Sequence, residues 1–253
     1  MLRIGDRTLA PRLVVFDKDG TLIAFDAMWH AWYNRLLASL DERHPLTPEA
    51  RLGLAGTLGT DPSAATWDPQ GPLTLASTTE VELLVASQLY RYLHLTWDEA
   101  LALVRTAAQD ARVELFRADL LEPLGDVAGL LRALRSAGVL VALATADTRV
   151  PTQHALDALG IGELLDTVVC GDDGVALKPA PDMGIEVCRR LGVRPVEAMM
   201  IGDTTSDLLM ARQAGFGWAV AVTTGASRAE DLAPLADFVL SGLDEIQVIA
   251  DHG

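Results

Sequence analysis

Asp17 and Asp19 stand two positions apart, directly after the apolar run at 13–16. On an extended backbone, side chains at i and i+2 project to the same side, and the carbonyl groups between them are free to meet a cation. This geometry suits a hard cation such as Mg²⁺ beside an aspartate nucleophile. The alternative interpretation is an ordinary strand end with solvated acids and an Asp-Gly turn, which for this segment alone is the commoner explanation.

Further polar residues follow the ends of later apolar runs. Thr145 follows one such run, Asp203 and Asp207 follow another, and Lys178 lies between them. The carboxyl ends of parallel strands meet at one edge of a sheet, and ligands bind there. We therefore expect these residues to form a single catalytic site with the two aspartates of the first segment.

With these residues in this order, the chain resembles the haloacid dehalogenase-like hydrolase superfamily, and within it the phosphoglycolate phosphatases with a helical cap. The segment Asp17-Lys18-Asp19-Gly20-Thr21 matches the first motif of that superfamily, Thr145 the second, Lys178 the third, and Gly202-Asp203 with Asp207 the fourth. A single Asp-x-Asp pair is a weak signal, whereas four motifs in order are a strong one.

The resemblance implies a role for each catalytic residue. Asp17 is expected to attack phosphorus and form an aspartyl-phosphate, and Asp19 to act as the general acid and base. Mg²⁺ is expected to bind a carboxylate of Asp17, the backbone carbonyl of Asp19 and a carboxylate of Asp203. Lys178 is expected to stabilise the nucleophile and the transferring phosphoryl group.

Other residues are expected to support this set. Thr145 and Ala146, together with Lys178, are the expected phosphate-binding residues, and Thr21 and Asp207 are expected to orient the metal ligands or the lysine. Asp207 has a second interpretation as a helix-capping residue.

The second motif departs from a frequent family form, because Ala146 stands where an asparagine is common. The sequence leaves the roles of the nearby Asp147, Arg149 and Asp172 undetermined. Lys18 also gives the first motif some likeness to P-type ATPases. The carboxylate of Asp19, which those enzymes lack at this place, and the missing membrane spans argue against that class.

Composition limits the kinds of partner. Of the 253 residues, 50% are hydrophobic, two are cysteines, and the formal net charge is −15. This charge disfavours binding to nucleic acid and to anionic membranes, and two cysteines are too few for a disulfide framework. We expect a cytoplasmic monomer or homodimer that acts on a small phosphorylated metabolite.

Strand-like runs alternate with helical patterns in residues 1–22 and 123–253, which predicts an α/β core with a Rossmann-like, three-layer parallel sheet. The expected strands are 13–16, 139–145, 167–170, 198–201, 217–222 and 238–240, and the expected helices are 126–137, 151–160, 182–191 and 205–214. Asp182 is placed to cap the third of these helices. A small strand or hairpin is expected in the first dozen residues.

Residues 23–122 show helical periodicity and predict an inserted all-helical cap domain. The expected helices are 27–40, 48–58, 79–93 and 97–116, with a loop over 59–72. Trp29, His30, Trp32 and Tyr33 lie where the superfamily often places specificity residues, but aromatic residues at helical spacing more often pack in a core.

These observations favour a Mg²⁺-dependent phosphatase that hydrolyses a small phosphomonoester, with 2-phosphoglycolate as the substrate suggested by the resemblance. One alternative is a phosphomutase of the same superfamily, which uses the same residues but transfers the phosphoryl group to a sugar hydroxyl. Another is a non-catalytic module that senses phosphate or binds a partner. The acid at Asp19 and the metal site at Asp203 disfavour a dehalogenase.

Overall fold

The computed structural model describes residues 1–24, 26–61, 66–68 and 70–249. The chain folds into two compact units: Met1–Phe25 together with Leu121–Gly253, and Asp26–Leu120. Among the described residues, no helix has both the length and the apolar character needed to cross a membrane.

The elements follow one another along the chain in three groups. The first segment contributes strands β1 (Leu2–Ile4), β2 (Arg7–Leu9) and β3 (Leu13–Phe16). The second unit contains α1 (Asp26–Arg43), α2 (Pro48–Leu58), β4 (Thr60–Asp61), β5 (Thr66–Trp67), α3 (Pro72–Leu75), α4 (Thr78–Leu93) and α5 (Trp97–Ala111). The final segment contains α6 (Val127–Ser136), β6 (Leu140–Ala144), α7 (Arg149–Ala158), β7 (Thr167–Val169), α8 (Asp182–Leu191), β8 (Ala198–Gly202), α9 (Thr205–Ala214), β9 (Trp218–Val222), α10 (Ala229–Leu232), β10 (Phe238–Leu240) and β11 (Ile246–Val248).

The first unit is built on a six-stranded parallel sheet with the order β10-β9-β8-β3-β6-β7. All four residues of β3 are buried, as expected for a central strand covered on both faces. One face packs against α8 and α9 through a cluster that includes Val15, Met183 and Leu208. The predicted α/β sheet with flanking helices is confirmed, with each of its six strands at the expected place.

A second, three-stranded antiparallel sheet joins the two ends of the first unit. The predicted hairpin is present as β1 and β2, and β11 pairs with β1 on its other side. The third strand was not predicted from the sequence, because Gln247 interrupts its three residues and leaves no continuous apolar run.

The second unit is mainly helical. Helix α1 packs against α5, and α4 packs against both α2 and α5. Capping boxes fix the starts of two of these helices, with Ser77 and Glu80 at α4 and Thr96 and Glu99 at α5. Each box satisfies two backbone N–H groups that would otherwise lack partners inside the helix.

Some elements of the structure differ from the sequence predictions. The last helix of the insert ends at Ala111, and Arg112–Phe116 continues as a tighter 3₁₀ helix. The predicted loop over 59–72 contains the short antiparallel pair of β4 and β5, and its residues 62–65 and 69 lie outside the described residues. Asp182 is the first residue of α8 and makes no capping hydrogen bond. At that position its charge still complements the helix dipole.

Gly171 provides a test of the packing between the turns that follow β6 and β7. A Cβ atom at this position would overlap the backbone carbonyl of Ala146, which cannot move as a flexible side chain would. We expect Gly171→Ala to lower the free energy of unfolding by about 1–3 kcal/mol, as other overpacked sites do. Denaturant unfolding followed by circular dichroism measures this change.

Gly56→Ala is the matched control, because a Cβ atom on Gly56 of helix α2 meets no atom within 4 Å. This variant should gain about 0.5–1 kcal/mol from helix propensity. Equal stability of the two variants would contradict the close approach at Gly171.

Candidate active site

Three neighbouring strands end side by side at one edge of the parallel sheet. Phe16, the last residue of β3, is in register with Leu143 of β6 and Ile201 of β8. Asp17 follows immediately, and its N–H donates to the carbonyl of Ile201 at 3.0 Å. The register of the sheet therefore brings together the turns that contain the first, second and fourth sequence motifs.

Lys178 contacts the turn after β3, the end of β6 and the start of α9. Its Nζ donates to Oδ1 of Asp17 at 2.5 Å, to Oδ1 of Asp207 at 2.5 Å and to the carbonyl of Ala144 at 3.1 Å. Burial lowers the pKa of Lys178, but the carboxylates of Asp17 and Asp207 outweigh it and raise this pKa above its usual value. Lys178 is therefore a fixed, buried cation.

The electrostatics of Asp17 are dominated by its removal from water. Burial raises the pKa of Asp17 to about 7, with a further contribution from the charge of Asp207, while Lys178 acts in the opposite direction. A carboxylate that is costly to ionise in isolation needs positive charge beside it to act as a nucleophile.

Asp203 is enclosed by two turns of the first unit. Its carboxylate accepts hydrogen bonds from Oγ1 of Thr21 at 3.0 Å and from the N–H of Ala226 at 3.2 Å. A Cβ atom on Gly20 or Gly225 would overlap this carboxylate, so both positions require the absence of a side chain. Two glycines thus allow the backbone to close tightly around one buried acid.

Asp17, Asp203 and Asp207 form a cluster of buried carboxylates. One oxygen from each lies within 4.8 Å of the others. Burial and the charges of the other two acids raise the pKa of Asp203 well above its usual value. Three carboxylates beside one ammonium group leave an excess of two negative charges, and oxygen donors of this kind fit a divalent metal ion. The cluster is defined by side-chain oxygens only. Metal binding by the backbone carbonyl of Asp19 therefore stays a prediction.

Asp207 makes two sets of contacts, one at the start of a helix and one with Lys178. Its Oδ2 accepts from the N–H of Thr204 at 3.0 Å and from Oγ1 of Thr204 at 2.6 Å, which forms a capping box at the start of α9. Its Oδ1 accepts from Lys178. The two oxygens of one carboxylate therefore fix the start of a helix and the ammonium group of Lys178 at the same time.

The carboxylate of Asp19 is not part of this cluster and pairs with a different cation, Lys18. Lys18 is 1% exposed, and its Nζ lies 2.8 Å from the carboxylate oxygens of Asp19 and 3.3 Å from Oδ2 of Asp147. Burial lowers the pKa of Lys18, but Asp19 and Asp147 outweigh it and raise this pKa above its usual value. The sequence did not predict that Lys18 and Asp147 lie together in one cluster with Asp19.

Thr145 is 2% exposed at the end of β6. Its N–H donates to the carbonyl of Val169 at 3.0 Å, and its Oγ1 accepts from the N–H of Asp147 at 3.1 Å. The hydroxyl proton of Thr145 is thus available to an acceptor such as a phosphate oxygen. Ala146 follows in the same turn, where its carbonyl packs against Gly171.

Arg149 and Asp172, whose roles the sequence left undetermined, have structural partners. The guanidinium of Arg149 binds both carboxylate oxygens of Asp173, at 2.8 and 2.6 Å. Asp172 accepts the N–H of Arg149 at 2.9 Å, at the first residue of α7. These contacts tie the turn after β7 to the start of α7.

The aromatic residues at the start of α1 are largely buried. Trp29 is 9% exposed and Tyr33 is 7% exposed. The rings of Trp29 and Trp32 meet edge to face, with centroids 5.6 Å apart. This burial favours the interpretation that they pack in a core, whereas His30 is only half-buried.

The turn after β9 takes part in the site although none of its residues was predicted from the sequence. Oγ1 of Thr224 donates to the carbonyl of Gly20 at 2.7 Å, and Gly225 and Ala226 contact Asp203. The sequence signal that could have located this turn is its position. It follows a strand of the parallel sheet and therefore lies at the same sheet edge as the other turns.

The two known proteins compared below are both named as phosphatases. The chain is similar to the probable phosphatase IndB of Dickeya dadantii, with 38% identity over 102 residues that cover 40% of this chain and 44% of that protein. It is also similar to a phosphoglycolate phosphatase of Aquifex aeolicus, with 29% identity over 147 residues, 55% of this chain and 68% of that protein. The chain spans about half the length of the first curated relatives that it matches.

Solved structures agree on the fold. A crystal structure described as a predicted phosphoglycolate phosphatase from Haemophilus somnus superposes with a TM-score of 0.71 at 18% identity, and the match covers 93% of this chain and 96% of that one. At this identity the similarity supports the architecture and not the substrate. The sequence profile of the haloacid dehalogenase-like hydrolases matches residues 11–215, a range that contains the whole site from Asp17 to Asp207. The chain therefore belongs to the haloacid dehalogenase-like hydrolase family.

Proposed function

We propose that this protein is a Mg²⁺-dependent phosphatase that hydrolyses a small phosphomonoester through an aspartyl-phosphate. The observation that carries the proposal is the buried Lys178 ammonium group, which lies 2.5 Å from both Asp17 and Asp207, with the Asp203 carboxylate in the same cluster. The phosphatase names of the relatives from Dickeya dadantii and Aquifex aeolicus support the same reaction class.

In the first step, a carboxylate oxygen of Asp17 forms a bond to phosphorus while the bond from phosphorus to the alcohol oxygen breaks. The leaving oxygen takes that electron pair and accepts a proton from Asp19. Lys178 remains beside the Asp17 carboxylate and offsets the negative charge that the phosphoryl group brings. This step yields the free alcohol and an aspartyl-phosphate.

In the second step, Asp19 takes a proton from a water molecule as the water oxygen bonds to phosphorus. The bond between phosphorus and Asp17 breaks, its electron pair returns to the carboxylate, and inorganic phosphate leaves. The Oγ1 proton of Thr145 and the turn at Ala146 bind phosphate oxygens in both steps. Asp19 ends protonated, so the cycle is closed.

The metal in this proposal is Mg²⁺, and the carboxylates of Asp17 and Asp203 with the carbonyl of Asp19 would hold it. When bound, it supplies positive charge that neutralises the phosphate and the neighbouring acids. Thr21 and Ala226 orient Asp203 through their hydrogen bonds. This support is what keeps a buried acid in one rotamer for a ligand role.

The direct test is a panel of phosphorylated metabolites assayed for phosphate release with Mg²⁺ and with a chelator. The panel includes 2-phosphoglycolate, several sugar phosphates, inorganic pyrophosphate and p-nitrophenyl phosphate. We expect Mg²⁺-dependent release from at least one small monoester. Transfer of the phosphoryl group to a sugar that depends on a sugar bisphosphate would instead establish the mutase alternative, and no turnover of any compound would support a non-catalytic module.

Asp17→Asn tests the nucleophile. The amide cannot form the acyl-phosphate and is a poor metal ligand, so we expect phosphate release to fall to the background rate. Thermal unfolding of the variant is the control for folding. A folded variant with most of the wild-type rate would rule out the proposed chemistry.

Asp19→Asn tests the acid and base. The substitution preserves the backbone carbonyl while removing the proton donor, so we expect Mg²⁺ binding to remain and kcat to fall about 10²–10⁴-fold. Mg²⁺ titration followed by thermal shift measures the first quantity, and steady-state kinetics the second. An unchanged rate per bound metal ion would show that Asp19 does not transfer the proton.

Asp203→Asn tests the metal ligand by a measurement that needs no substrate. Repulsion among the three buried carboxylates destabilises the metal-free protein, so removing one charge should stabilise it by about 0.5–2 kcal/mol. Mg²⁺ should raise the melting temperature of the wild type but not that of Asp203→Asn. Asp119→Asn, which changes an exposed acid, should retain the Mg²⁺ response. An equal response in Asp203→Asn would contradict the ligand assignment.

A further inference from the structure

Lys18 occupies the position between the two catalytic aspartates of the first motif, and its side chain is almost fully buried. A buried ammonium group is costly unless it is paired, and this one is paired with two acids. Its Nζ lies 2.8 Å from the Asp19 carboxylate and 3.3 Å from Oδ2 of Asp147. One cation therefore connects the turn after β3 with the turn after β6.

Asp147 is the rigid end of this connection. Its Oδ1 accepts the N–H of Thr148 at 2.7 Å, its own N–H donates to Thr145, and its carbonyl accepts the N–H of Gly171 at 2.8 Å. Each of these bonds involves backbone, so the carboxylate has little freedom to move. Asp147 can thus anchor the flexible side chain of Lys18.

The carboxylate of Asp19 depends on Lys18 for its orientation. Within the described part of the chain, Lys18 is the only hydrogen-bond or ion-pair partner of the Asp19 side chain. The side chain of Asp19 is also more exposed than the other two, with 14% of it accessible against 1% for Lys18 and 3% for Asp147. An acid that reaches solvent and has one partner takes the direction which that partner imposes.

We propose that Lys18 and Asp147 are positioning residues for Asp19. Asp147 anchors the ammonium group of Lys18, and Lys18 holds the Asp19 carboxylate in the orientation needed for proton transfer to the leaving oxygen. Lys18 interacts with two acids, so its ion pair with Asp19 is not exclusive. It therefore orients the Asp19 carboxylate without neutralising that group alone. This inference rests on the proposed function, in which Asp19 is the acid.

The leaving group provides the readout that distinguishes positioning from folding. p-Nitrophenolate departs without a proton, whereas an alkoxide needs one, so misplacement of the acid should matter mainly for alkyl phosphates. The parameter kcat/KM reports the steps up to the first irreversible one, here departure of the alcohol. A variant that is merely less folded loses activity on both substrates by the same factor.

The experiment measures kcat/KM for p-nitrophenyl phosphate and for the best alkyl phosphate of the panel. For Asp147→Asn, which preserves size and the hydrogen bond from Thr148, we expect about a 10–100-fold loss on the alkyl phosphate and a loss below about threefold on the aryl phosphate. Lys18→Met should show the same selective loss. Since Lys18→Met leaves two buried acids without their cation, the double variant Lys18→Met/Asp147→Asn is measured as well.

If the two residues act as a unit, the double variant is no worse on the alkyl phosphate than Lys18→Met alone. Asp173→Asn is the matched control, because it removes an acid paired with Arg149 in the neighbouring turn but not with Lys18. It should leave the ratio between the two substrates unchanged. Equal losses on both substrates in Asp147→Asn and in the double variant would overturn the inference.

Failure of the inference is distinguishable from failure of the proposed function. If wild type releases phosphate, Asp17→Asn is inactive and Asp19→Asn shows the selective loss on alkyl phosphates, the proposed function stands. An unselective Asp147→Asn then refutes only the positioning role. An active Asp17→Asn refutes the proposed function itself, and the positioning inference fails with it.

Discussion

The contact on which the site depends is the one between the Lys178 ammonium group and the carboxylates of Asp17 and Asp207. All three groups are buried, so water does not compensate their charges. Removing two acids and a cation from water costs several kcal/mol per ion, and their mutual attraction repays that cost only in good geometry. The sheet supplies this geometry, because its register places the turns after β3 and β8 next to each other.

Such a site favours function over stability. Asp203 adds a third buried acid with no lysine beside it among the described contacts, and it is held by Thr21 and Ala226 instead. The excess negative charge of this cluster and its oxygen donors fit a divalent cation. Close packing by Gly20 and Gly225 maintains the arrangement where a larger residue would force it open.

The site uses the same arrangement twice. Lys178 lies between Asp17 and Asp207, and Lys18 lies between Asp19 and an acid of the next turn, Asp147. In each case, one oxygen of the outer acid binds backbone N–H at a turn or helix start, and the other faces the lysine. An acid fixed to backbone holds a lysine, and that lysine contacts Asp17 in one case and Asp19 in the other. Secondary structure thus restrains the carboxylates of Asp17 and Asp19 through the two lysines.

The amino-acid sequence by itself determined the class of fold and the proposed chemical groups. Buried parallel strands leave continuous apolar runs, and the polar residues that end them, such as Asp17, Thr145 and Asp203, are visible without coordinates. The same local signals located most helices, because caps and glycine stops act over a few residues. Strand β11 left no such run, because Gln247 separates its two apolar residues.

Only the tertiary structure decided which acid each lysine binds. Lys18 and Asp147 are 129 residues apart, and Gly225 is 22 residues beyond the aspartate that it packs against. Neither relation produces a periodicity or a spacing in the sequence, because each arises from strand order and register. Strand order is set by the packing of the whole sheet, so contacts between turns at its edge cannot be read from any one segment.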